Sequence, residues 1–117
     1  MKRDIKLVRE LLLVAEADGT CDGLNSKYGQ EVVAGHVAIL IDAKLIEGQV
    51  VCDEAGKPCY AVIVRLTWAG HEFLDNARNE TVWNKVITSI KDTATTVSFE
   101  ILSELLKVGV SSAVSNL

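Results

Sequence analysis

Five residues of this chain carry side chains that bind metals or react readily: Cys21, Cys52, Cys59, His36 and His71. A structural zinc site needs four such ligands in closely spaced pairs, and no Cys-x-x-Cys pair is present among them. His71 is followed by Glu72, but neighbours on a helix point in different directions, so the two do not form an acid–base dyad. His36 falls on the inner side of an apolar helical pattern, where a hydrogen-bonded core histidine is expected. No glycine-rich phosphate loop and no nucleophile elbow occurs. The expectation is a protein that is not an enzyme, with no metal, no cofactor and no small-molecule substrate. An odd number of cysteines suits reduced thiols in a cytoplasm. Cys52 and Cys59 flank a turn, and two readings stay open there: a cross-strand pair, or two small strand residues.

Phosphate chemistry is the next candidate. Lys2, Lys6 and Arg9 share one side of the first helical pattern, and Lys27 and Lys57 stand in loop-like and turn-like stretches. Against them stands a formal net charge of −4, whose field opposes nucleic acid. A helix that reads DNA offers long donors to base edges. The central helix, with Val33, Val37 and Leu40 turned inward, would instead show Glu31, Gly35, Ala38 and Asp42, flanked by Ala34 and Ile41. Those residues suit a protein partner, because small side chains let another backbone approach. Nucleic acid is the alternative partner, using Lys2, Lys6, Arg9, Lys27 and Lys57, and the acidic residues disfavour it.

The elements that would position these residues follow from hydrophobic period. From Val33 the apolar residues recur at helical spacing; after Gly48 the pattern becomes extended and β-branched, with the turn Asp53-Glu54-Ala55-Gly56-Lys57-Pro58 between two strands. A helix followed directly by a hairpin is the core of a winged-helix domain. Asp4 stands at the N-cap of a helix to about Ala17, with Ile5, Val8, Leu11, Leu12 and Ala15 as its buried stripe. Residues 18–29 leave open whether a short helix or a strand forms. Thr67 caps a helix whose buried side carries Gly70, Phe73, Leu74 and Ala77, and Asn79 closes it. A further helix with Val82, Trp83, Val86, Ile87 and Ile90 on one side leads to a break over 92–96.

Ser98 caps the last helix, whose stripe of Leu102, Leu105, Leu106, Gly109, Val110 and Ala113 is wider than one neighbouring helix covers. That stripe is the candidate oligomerisation surface. The expected architecture is α+β: a winged-helix-like domain over 1–67 and a helical extension over 68–117, packed on it or on a second copy. The basic, apolar start is interrupted by Asp4, Arg9 and Glu10, so a helix rather than a signal peptide is expected. No apolar run is long enough to span a membrane.

Two runs carry a resemblance. Arg65-Leu66-Thr67-Trp68-Ala69-Gly70-His71-Glu72-Phe73-Leu74-Asp75, with Asn79-Glu80-Thr81-Val82-Trp83-Asn84-Lys85 after it, resembles the signature of small bacterial and phage proteins classed as a domain of unknown function. The opening Met1-Lys2-Arg3-Asp4 and the stretch from His36 to Glu47 are similar to the same pattern. The resemblance implies a winged-helix-like fold and a bacterial, phage or prophage origin, and implies no activity. Lys44 departs from it, standing where the family usually has Gly at a helix end; a left-handed residue or a different helix end is expected there. The outward side of the central helix, commonly charged in relatives, is here mostly small or apolar.

Overall fold

The computed structural model describes residues 2–93 and 98–115, with side chains placed for 2–90, 98 and 100–111. Among them are six helices and one antiparallel hairpin, an α+β architecture. The chain divides into two compact units, Met1–His71 and Glu72–Leu117.

In the first unit, α1 (Ile5–Glu16) starts at Asp4, whose carboxylate accepts the backbone N–H of Lys6 at 3.0 Å and of Leu7 at 3.3 Å. Leu7, Val8, Leu11, Leu12 and Ala15 are its buried face, and Ile5 is only half-buried. A short helix, α2 (Asp22–Tyr28), fills the stretch left open by the sequence. The next helix, α3 (Gln30–Asp42), packs against α1, α2, β1 (Ile46–Cys52) and β2 (Pro58–Leu66). That cover makes α3 the centre of the unit.

The end of α3 explains Lys44. The backbone N–H of Lys44 bonds the Ile41 carbonyl at 2.9 Å, and that of Leu45 bonds the Leu40 carbonyl at 3.0 Å. This is the Schellman pattern, which requires a left-handed residue, and Lys44 adopts φ 62°. Leu40 and Leu45 are both buried, as the hydrophobic contact of that motif requires.

At the hairpin tip, Asp53 Oδ1 accepts the backbone N–H of Ala55 and of Lys57, each at 2.9 Å. Gly56 supplies the positive φ of 82° that closes the turn. Cys52 lies opposite Pro58 in the register, not opposite Cys59. Both thiols are free, and Cys59 donates its S–H to the Val51 carbonyl at 3.2 Å.

β2 runs into α4 (Trp68–Ala77) through Thr67. Its hydroxyl donates to the Lys44 carbonyl at 2.6 Å and accepts the Gly70 N–H at 3.0 Å, while its own N–H bonds the Leu45 carbonyl at 3.0 Å. One residue thus caps α4 and fastens it to the α3–β1 turn. Gly70 lies against the Leu45 carbonyl so closely that a Cβ there would collide with it.

In the second unit, α5 (Glu80–Thr93) begins at Asn79, whose Oδ1 accepts the Val82 N–H at 3.1 Å. Asn79 therefore opens α5 as its cap, rather than closing α4, which ends at Ala77. Most of the break expected over 92–96 lies outside the described residues, and α5 itself continues to Thr93. Ser98 Oγ caps α6 (Phe99–Ser115) by accepting the Ile101 N–H at 3.2 Å. α6 packs on α5, with Gly109 against Val82.

Candidate functional site

The reactive side chains are dispersed or occupied. His36 is fully buried and serves the fold: its Nε2 accepts the Asp4 backbone N–H at 2.8 Å, and its Nδ1 stands 2.8 Å from the Val32 carbonyl oxygen. A carbonyl only accepts, so Nδ1 carries the proton and the ring is neutral. The histidine ties the cap of α1 to the first turns of α3. His71 is exposed at the start of α4, and Cys21 is buried. Burial pushes the Cys21 thiol above its ordinary range, with Asp22 adding to the effect. Among the described residues, no three of His, Cys, Asp or Glu come together as metal ligands would.

The cations are spread over α1 and its start, α2 and the hairpin tip. Lys2 precedes α1, Lys6 is exposed on it, and Arg9 is half-buried on the same helix. Lys27 on α2 is bound to Glu10 at 3.3 Å and lies 5.1 Å from the Tyr28 ring centroid. Glu10 holds the Lys27 ammonium above its ordinary range. Lys57 is exposed at the hairpin tip beside Asp53 and Glu54.

The face expected on the central helix is corrected by the structure. Glu31 and Asp42 are exposed, and Ala38 and Ile41 are half-buried, but Ala34 and Gly35 are buried. The physical reason is that α3 is covered by two helices and a hairpin, not on one side alone. Small residues do admit close neighbours there, and the neighbours are the chain's own. Of the stripe expected on the last helix, Leu102 and Leu106 are buried, Gly109 and Val110 are half-buried, and Leu105 is exposed. The Ala113 side chain lies outside the described residues.

What the structure leaves open is the outer face of the hairpin. Tyr60, Val62 and Val64 alternate along β2, and Val51 pairs with Tyr60 across the ladder, so they project on one side. All four are exposed, Val64 to 63%, and Trp68, just after β2, is 79% exposed. The opposite parity of β2 carries Ala61, which is buried, and Ile63, which is half-buried. A sheet covered on one face ordinarily turns polar residues to water on the other. Here both parities are apolar, and that double parity, visible in Cys59-Tyr60-Ala61-Val62-Ile63-Val64, is the sequence signal that points to this surface. At its base Arg65 holds Glu47 through two hydrogen bonds, of 2.7 and 2.9 Å.

No solved structure matches this chain. A protein of Haemophilus influenzae, strain Rd, described as an uncharacterized protein, is 34% identical over 118 residues, spanning 95% of this chain and 97% of that one. A family model described as "Hypothetical protein (DUF2513)" matches residues 2–97, which take in α1 to α5 and the hairpin. The chain belongs to this DUF2513 family.

Proposed function

We propose that the protein is a non-enzymatic, cytoplasmic interaction module of bacterial, phage or prophage origin, regulatory or adaptor in role, which binds a partner protein through the outer face of its hairpin. The order α1-α2-α3-β1-β2 supports reading the first domain as winged-helix-like, with the hairpin as the wing. Fold alone is a weak warrant for activity, and the surface chemistry is the stronger one. The observation that carries it is the exposed set Val51, Tyr60, Val62 and Val64 on one side of a two-stranded sheet. Clustered apolar exposure of this kind marks contact surfaces on soluble proteins. A DNA-binding regulator is the second reading; it takes its support from the order of elements and finds little in the exposed charges.

The test is capture from the native host with the tagged full chain, with and without nuclease, beside the double variant Val62→Glu, Val64→Glu. Both positions are exposed, so the variant should keep the wild-type melting temperature. The expected result is an identified protein that survives nuclease and is lost with the variant. Capture abolished by nuclease, or indifferent to the two substitutions, overturns the reading.

A further inference from the structure

We propose that α6 pairs with α6 of a second copy of this chain, in antiparallel orientation, through Ile101, Leu105 and Val108. The stripe is on a different element from the hairpin face and shares no residue with it, so the proposal stands without that reading.

The helix carries two apolar stripes. Leu102 and Leu106 are buried, and Gly109 meets Val82 of α5. The other stripe, Ile101, Leu105 and Val108, recurs at four and three residues and so shares one side of the helix. All three are exposed, Val108 to 66%, and with Glu100 and Glu104 they line an open groove along α6.

The charges beside this stripe identify its occupant. Glu100, Glu104 and Lys107 are exposed along one edge, the acids toward the N-terminal end and the lysine toward the C-terminal end. A two-fold axis crossing an antiparallel helix pair keeps this edge of both copies on the same side. With the axis beside Leu105, Ile101 of one copy lies opposite Val108 of the other. Lys107 of each then falls within a turn of Glu100 and Glu104 of the other. A parallel pair would put the two charged edges on opposite sides, where they gain nothing from each other. The pattern is therefore self-complementary in one orientation. Within a copy Lys107 already lies 3.6 Å from Glu104, an exposed pair that contributes little and is free to be shared.

Sedimentation of the full chain over a wide concentration range tests this. The wild type should associate to a dimer, and Leu105→Glu should be monomeric with an unchanged circular dichroism spectrum. Glu104→Lys and Lys107→Glu each place like charges together, and each alone should weaken the dimer by about threefold to tenfold. Mixing these two single variants should restore association, because each supplies the charge the other lost. That rescue is beyond a folding defect, since neither chain is repaired internally. A wild type monomeric into the hundreds of micromolar, a dimer indifferent to Leu105→Glu, or a mixture no tighter than its components overturns the proposal.

Discussion

Lys44 and Cys21 show how single residues here are set by their surroundings. Lys44 takes a left-handed backbone because the two turn-closing hydrogen bonds and the buried Leu40 and Leu45 require it, at an intrinsic cost of about 1–2 kcal/mol for a residue with a Cβ. Cys21 is buried, and burial raises its thiol, with Asp22 acting in the same direction. In the pH range between the ordinary thiol value and the raised one, the unfolded chain has lost a proton that the folded chain keeps. Stability conferred by the neutral thiol is thus present at neutral pH and is lost as pH rises through that range. Tyr28 is also raised, first by burial and then by Glu10, so it contributes with the same sign. The expected outcome is a melting temperature that falls above about pH 9, and less steeply in Cys21→Ala. Equal slopes for the two proteins would show that Cys21 takes no part.

At the scale of the element, the Leu66-Thr67-Trp68-Ala69-Gly70 run is a fastening. Thr67 spends its hydroxyl on both the Lys44 carbonyl and the Gly70 N–H, and Gly70 lets α4 lie against the Leu45 carbonyl. Gly70→Ala should therefore destabilise the fold by about 1–3 kcal/mol, although alanine is the better helix former. Chemical denaturation reads this directly; a gain in stability would mean that the backbone contact is not as close as it stands. The same element shows what a sequence can reveal. Caps at Asp4, Thr67 and Ser98 are local chemistry, and each was legible from a side chain and the apolar period after it. The helix over Asp22–Tyr28 was not, because seven largely polar residues carry no usable period. Nor was the burial of Ala34 and Gly35, which depends on how many neighbours α3 acquires, a property of the tertiary arrangement. The open hairpin face was half legible: two apolar parities show that one side is left over, but not which.

For the whole molecule, the decisive quantity is the sign of the field a nucleic acid would meet. The exposed charges of α3 are Glu31 and Asp42, and the hairpin tip sets Asp53 and Glu54 against Lys57. Lys27, at the start of this surface, is already bound to Glu10. The chain as a whole carries −4. Binding to duplex DNA draws most of its affinity from counterions released as cations neutralise phosphates, and it falls steeply with salt. A surface with so few cations at the helix and hairpin releases few counterions, while its carboxylates add repulsion and desolvation. Base readout fares no better, since Gln30 is the one long neutral donor exposed at the start of α3. The expected outcome is no specific duplex binding at physiological salt, read by fluorescence anisotropy against labelled fragments of the host genome. A dissociation constant in the tens of nanomolar that weakens as salt is raised would overturn this expectation, because affinity of that kind requires more phosphate contacts than the charges of α3 and the hairpin allow.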